Sequence, residues 1–564
     1  MSRFLPSMLA AASCTLALLA ASPAQAHRCG TAFAIQNQKE AQEQQKAGLT
    51  SRKALKVSRV TYTCPSDAYY DSVYTRETDH FQIFYVLNGP HATQTEFIDT
   101  LAVVLEEAFK FHTKTMGMRA PQSVDTTSHY QKPVKKGFFP VEVAEIDFLR
   151  DPISVLDKDM CNGCFGVTYS DIRNSGKPKD KRDYRKSEII IDNDFVFVPS
   201  FSTKLESLTR DGKNCTYPVA SETLKNKFHG YPYDEEWAKA IRVTVFHEMF
   251  HAVQLQYMDL FSHWTYWTEA SATANEEIGV PEINDYFYYI PKFINSVGIP
   301  IDNIPSEYAI CLLYLYIYNH VDKHFDKEIW ELFDKRPQDP FREHLKTVLE
   351  KHDVSLDSLY QSFVTALALS GENASMVDSS VWVHADQPNW PTVIPDSIKQ
   401  ESPFAPDTTN YAFNFYKGGI PTIEDYKGKG SAIVFQDKKA TPWHMANTAS
   451  LDSIVTKSFF ADSIFWIFSR FGEVKYIPQV LKDSTLRAYP MPWRGKGQLC
   501  FTPLPENKKF IEIRNGRGEL VLREPYTRIT HCIDGDYLRS KLKPGVYRFR
   551  VGSNGKAQKF IVTY

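Results

Sequence analysis

His247 and His251 stand four residues apart with Glu248 between them, in the stretch VFHEMFHAVQ over residues 245–254. On an α-helix that spacing stacks the two imidazoles on one face, where both can reach a single metal at about 2.0–2.1 Å. Glu248 falls about 100° around the helix, beside such a metal. A carboxylate there can take a proton from a water that zinc has acidified to a pKa of about 7. The surrounding residues Ile241, Val243, Val245, Phe246, Met249, Phe250, Val253 and Leu255 are apolar around most of the helix, which predicts burial. Two buried imidazoles require hydrogen-bond partners or a metal. At this composition an HExxH pattern arises by chance in about one chain in forty of this length, so a third ligand has to decide between those two readings.

The next helical stretch, HWTYWTEASATANEEIG over 263–279, offers that ligand. Glu269 lies 18 positions after His251 and opens the small-residue run Ala270-Ser271-Ala272-Thr273-Ala274, which lets two helices pack closely. Glu276, two turns further on the same face, is the competing ligand or a hydrogen-bond partner for a histidine. The spacing of the metzincins, with glycine at 254 and histidine at 257, is not met: the chain has Gln254 and Tyr257.

HEMFHAVQ followed by WTEASAT resembles the gluzincin metallopeptidases, in which HExxH precedes a tryptophan-flanked glutamate and small residues. The strand pattern FQIFYVL, the strand pattern SEIIIDNDF and the helix order resemble secreted bacterial members, over about 76–370. The resemblance implies a zincin-like fold, Zn2+ held by His247, His251 and Glu269, and Glu248 as general base in peptide-bond hydrolysis. Two positions depart from the family pattern: Ala270 follows the glutamate where glycine is common, and Thr273 stands where a further acid often orients a histidine. Tyr286, Tyr288, Tyr289 and Tyr308 are the candidates for stabilising a tetrahedral oxyanion.

Those side chains need a large scaffold, and the chain provides one. Its 564 residues predict several domains, and 43% hydrophobic with 23% charged residues is a core-forming composition. Lysine plus arginine number 65 against 67 acidic residues, so no basic surface invites nucleic acid. Residues 1–26 combine Arg3, an apolar run from Met8 to Ala21 and the small residues Ala24 and Ala26, the pattern of a secretory signal peptide. Export favours disulfides among the eight remaining cysteines. Cys29–Cys64 and Cys500–Cys532 are the expected local pairs. Cys161 and Cys164 form a CxxC that reads as a redox or zinc motif or, with Cys215 nearby, as a disulfide-tied loop. Cys311 lies in an apolar helical run, as a buried thiol or the odd partner out.

The expected class is α+β: a zincin-like domain with a helical subdomain, followed by β-rich, sandwich-like domains. Residues 27–75 read as an N-terminal linker or removable pro-segment, 76–375 as the catalytic domain, 376–505 as a β-rich middle domain and 506–564 as a C-terminal sandwich. Strands are expected at 80–87, 142–149 and 187–198, and helices at 94–117, 235–258 and through 305–370. Asn515-Gly516 and Asn554-Gly555 mark tight turns between alternating strands near the end. There RNGRGELVLRE, LKPGVYRFRV and KFIVTY resemble the C-terminal sorting domains of type IX secretion in Gram-negative bacteria. That resemblance implies delivery to the outside or the cell surface and contact with outer-membrane secretion machinery. The expected function is a secreted zinc peptidase acting on proteins or peptides. Its alternative is an inactive zincin-like surface protein whose β-rich region binds a partner.

Overall fold

The computed structural model describes Cys29 and most of residues 72–563. The larger intervals outside it are 1–28, 30–71, 150–162, 171–183, 197–204, 220–235, 261–265 and 471–486, with shorter breaks elsewhere. The expected signal peptide, Cys64, Cys161, the Asn554-Gly555 turn and all but a few positions of 27–75 therefore lie outside the described residues. The architecture is mixed α+β, and the chain divides into two compact units, Met1–Tyr288 with Cys311–Val354, and Tyr289–Ile310 with Ser355–Tyr564.

The first unit is built on a mixed sheet of β1 (Tyr74–Glu77), β2 (Phe81–Tyr85), β3 (Gln122–Ser123), β4 (Phe139–Val143), β5 (Gly166–Ser170) and β6 (Lys186–Ile191). Strands β2, β4, β6 and β3 run parallel, whereas β5 pairs antiparallel with β6. The run Ile189-Ile190-Ile191 is apolar on consecutive residues because β6 is buried on both faces. Ile189 and Ile191 join Phe81, Ile83, Val141 and Val143 under α1 (Thr95–Lys110) and α2 (Trp237–Gln254), while Ile190 packs on the other face with Phe84, Val167 and Tyr169. A π-helical turn, Phe111–Thr115, prolongs α1 and closes near Gly117 at φ +66°, a left-handed conformation glycine adopts without strain.

The strand expected at 142–149 is shifted. It ends at Val143, and Ile146–Phe148 form a single 3-10 turn. Side-chain carboxylates take the backbone donors that a ladder would have used: Glu145 accepts from Asp147 N, and Asp192 accepts from Ile146 N at 3.1 Å. Four helices complete the described unit: α3 (Tyr266–Gly279), α4 (Cys311–His320), α5 (Phe325–Lys335) and α6 (Phe341–Lys351). A hairpin, β7 (Leu205–Arg210) with β8 (Lys213–Pro218), accompanies them. Cys164 and Cys215 each take part in a disulfide, and Cys311 is a buried free thiol.

The second unit is β-rich. Helix α7 (Leu356–Leu367) lies on a sheet of β9 (Asp396–Ser397), β10 (Ala412–Lys417), β11 (Lys429–Gln436), β12 (Lys439–Met445) and β13 (Ser463–Arg470). Its buried Gln361 fixes that docking, donating to Ile467 O at 3.2 Å and accepting from Ser469 Oγ at 2.6 Å. A further helix, α8 (Thr448–Lys457), packs beside β12. Strands β14 (Arg487–Tyr489), β15 (Leu499–Thr502) and β18 (His531–Ile533) form one terminal sheet. The other consists of β16 (Phe510–Arg514), β17 (Leu520–Pro525), β19 (Gly545–Val551) and β20 (Gln558–Val562), with α9 (Gly535–Lys541) between β18 and β19. One core joins Trp493, Leu499 and Phe501 to Ile511, Phe549 and Phe560, so residues 487–502 fold with the terminal strands. Asn515 makes the expected tight turn between β16 and β17, and the β15–β18 register sets Cys500 opposite Cys532.

Candidate metal centre

Helices α2 and α3 cross closely because α3 presents Ala270, Ser271, Ala272, Thr273 and Ala274, all fully buried. Gly279 ends α3 against Phe246; a Cβ there would stand 2.2 Å from the Phe246 ring. The docking is fixed from the far side by Trp267. Its indole donates to Asp326 at 2.8 Å and stacks on Tyr314 and Phe341, with ring centroids 5.4 Å and 4.5 Å away. Burial raises the Asp326 carboxyl to about 7 against the pull of the Trp267 and Trp330 indoles. The tryptophan two residues before Glu269 thus anchors the helix that carries it.

The packing brings the expected side chains together. His247 Nε2 lies 3.0 Å from His251 Nε2 and 3.1 Å from Glu269 Oε2, and His251 Nε2 is 3.6 Å from the same oxygen. All three side chains are almost completely buried. Their outer ring nitrogens are engaged elsewhere. His247 Nδ1 meets Glu276 Oε1 at 2.5 Å, and His251 Nδ1 meets Gln254 Oε1 at 2.8 Å. Gln254 is oriented in turn, donating to Thr268 O and Ser271 Oγ. An amide oxygen can only accept, so His251 carries its hydrogen on Nδ1, and the Glu276 carboxylate places one on His247 Nδ1. Both Nε2 lone pairs then point at the Glu269 carboxylate. Of the two competing glutamates, Glu269 joins the imidazoles at Nε2 and Glu276 holds the opposite nitrogen.

A fourth donor was not anticipated. Cys29 is not half of a disulfide with Cys64: its thiol is free, buried, and 3.2 Å from His251 Nε2. The pairing expectation rested on closeness in sequence, whereas the fold carries Cys29 to a helix 222 residues away. The ligand atoms of Cys29, His247, His251 and Glu269 all lie within 4.8 Å of one another, and the group could hold a metal ion. Four donors arranged tetrahedrally at about 2.0–2.3 Å from a metal stand about 3.3–3.6 Å apart, which four of the six separations, at 3.0 to 3.6 Å, approach. Glu269 Oε1, buried, has no hydrogen-bond partner among the described residues, although a buried carboxylate oxygen ordinarily has one. Two imidazoles, a carboxylate and a thiol are the donor set that zinc takes. Without a cation, protons must offset the crowded acceptors. Burial pushes His251 down, but Cys29 and Glu269 overcome it and hold the imidazole up at about 10. Burial alone would raise Glu269, yet the two histidines, His251 foremost, keep its carboxyl at about 2.

Glu248 occupies the neighbouring face of α2, fully buried beneath β5. A Cβ on Gly166 would stand 2.6 Å from Glu248 Cγ, so glycine is what admits the strand this close. Thr168 Oγ1, two residues along, lies 2.7 Å from Glu248 Oε2 and 2.8 Å from Glu248 O. A hydroxyl has one hydrogen for these two acceptors. When the carboxylate is ionised, Thr168 donates to it. When it is protonated, it donates to Thr168, which turns its hydrogen to the carbonyl. The pair therefore accommodates both protonation states of Glu248.

Among the oxyanion candidates, Tyr286 and Tyr288 lie on the turn Asp285–Tyr288 of the first unit. Tyr289 and Tyr308 belong to the second unit, where they stack on each other with ring centroids 5.0 Å apart. Asp192, an acidic residue of the β6 end, is occupied in capping the backbone of Ile146 and Phe195. No helix of the described residues is long and apolar enough to cross a membrane. No protein-family model, curated protein or solved structure matches the chain.

Proposed function

We propose that the protein is an exported zinc-dependent peptidase. The observation that carries the reading is the aim of two histidine Nε2 lone pairs and the Glu269 carboxylate at one point, with Glu248 held by Thr168 on the adjoining helix face. His247, His251 and Glu269 would hold the zinc, which would supply an acidified water and polarise a substrate carbonyl. Glu248 is the base that would accept a proton from the attacking water and return it to the departing amine. Thr168 holds the carboxyl group through both transfers, and Glu276 and Gln254 keep each histidine in the tautomer that leaves Nε2 free. Proteins or peptides are the proposed substrates, with delivery to the outside through residues 1–26 and the terminal β-unit.

In a Cys29→Ser background, where no sulfur can occupy the metal position, Glu248→Gln should retain one equivalent of zinc and reduce chelator-sensitive peptide hydrolysis by about 10² or more. Full activity in that variant would refute the assignment of Glu248. A second reading, a surface protein with a non-catalytic metal centre, gains support from Cys29, because four protein donors form the closed set usual in structural zinc sites. It predicts bound zinc without hydrolysis, whether or not Cys29 is present.

A further inference from the structure

Resting on the peptidase reading, we infer that Cys29 is a latching ligand: its sulfur fills the coordination position a substrate water requires and keeps the folded chain inactive until that sulfur is withdrawn. Three observations converge. The Cys29 thiol is free and buried, with its sulfur 3.2 Å from His251 Nε2 and inside the group formed with His247 and Glu269. The other three residues already supply the ligand number of a catalytic zinc site, which leaves one position open. Cys29 is seated by a parallel backbone bridge to Gly166, the residue whose missing side chain lets β5 lie over Glu248. The same contact covers both halves of the proposed machinery, the metal position through the sulfur and the general base through Gly166.

Release involves no redox change. The sulfur–metal bond breaks, a water takes the vacated position, and the thiolate leaves as a thiol after accepting a proton from solvent. Withdrawal of the N-terminal stretch, by proteolysis beyond Cys29 or by a partner that draws it away, gives the same product.

The test uses the full mature chain reconstituted with cobalt(II), whose spectrum reports ligand type independently of catalysis. The unmodified chain should show a thiolate-to-cobalt charge-transfer band in the near ultraviolet. Cys29→Ser should lose that band and keep one equivalent of metal. Acetohydroxamate, a small metal-binding ligand, should shift the visible cobalt bands of C29S at concentrations about tenfold or more below those needed for the unmodified chain, because a tethered sulfur competes at millimolar effective concentration. X-ray absorption on the unsubstituted zinc protein guards against a misfolded variant: one sulfur at about 2.3 Å is expected. A first shell of nitrogen and oxygen alone, or equal hydroxamate binding by both chains, overturns the latch and leaves the metal site standing. Failure of either chain to bind metal overturns both the latch and the reading beneath it.

Discussion

Removing the charge behind His247 should weaken metal binding without touching a ligand. Glu276 Oε1 lies 2.5 Å from His247 Nδ1, and both side chains are buried. The contact keeps a hydrogen on Nδ1, aims Nε2 toward Glu269, and makes the imidazole a stronger donor through the carboxylate charge. Glu276→Gln preserves an accepting oxygen of the same shape and loses only the charge. Glu276→Ala loses both and leaves a buried N–H without its acceptor. Loss of such partners typically lowers metal affinity about 10–100-fold, which is about 1.4–2.7 kcal/mol. Glutamine belongs near the lower figure and alanine near the upper. The assay is competition for zinc against a chromophoric chelator at fixed pH, with unfolding of the metal-free proteins measured alongside. Zinc affinities within about twofold of the parent for both variants would refute the claim that Glu276 orients a ligand. An alanine variant binding more tightly than the glutamine one would refute the role assigned to its oxygen.

Three further outcomes follow from the same geometry. Thr168→Val removes the hydroxyl shared by Glu248 Oε2 and Glu248 O, and in a Cys29→Ser background kcat should fall about tenfold with KM and zinc content retained; a change in KM alone contradicts the positioning role. Zinc uptake near pH 7 should release at least one proton, because His251 in the metal-free fold titrates near 10 and must shed its proton to coordinate; calorimetry in buffers of different ionisation enthalpy reads this directly, and no buffer dependence would contradict it. Asp326 binds its proton more tightly folded, at about 7, than unfolded, near 3.8, so the stability it contributes at low pH is lost as pH rises through that window. The full loss across the window amounts to about 4 kcal/mol, of which about 2–3 kcal/mol falls between pH 5 and pH 8, and Asp326→Asn should flatten that part in denaturant titrations at the two pH values; an unchanged difference between them would refute the assignment.

Much of the site was legible because its residues sit on two neighbouring helices with strong local patterns. The apolar surround of His247 and His251 predicted a buried helix, and the small residues after Glu269 predicted the close crossing that brings the carboxylate in. Spacing from His251 already favoured Glu269 over Glu276 as the ligand, and the structure adds which imidazole nitrogen each of the two reaches. Thr168 and Cys29 carried no local signal: each acts on α2 from a distant β-element, 80 and 222 residues away. Gln254 was visible as a departure from one family's spacing, and its use as the acceptor for His251 Nδ1 depends on the turn that ends α2. In the fold, the alternating strands and the Asn515 turn were readable, whereas the early end of β4 depends on carboxylates that capture backbone donors from another strand's end. Likewise α7 was periodic in sequence, but its partner, the five-stranded sheet reached through Gln361, was set by residues about seventy to a hundred positions away.

The central claim is that His247, His251 and Glu269 hold one cation in common. Elemental analysis of the purified full chain, beside His251→Ala and Glu269→Ala variants shown to be folded, tests it most directly. The account predicts one equivalent of zinc in the parent and loss of that metal from both variants; a parent without stoichiometric metal, or variants that keep it, would contradict the account.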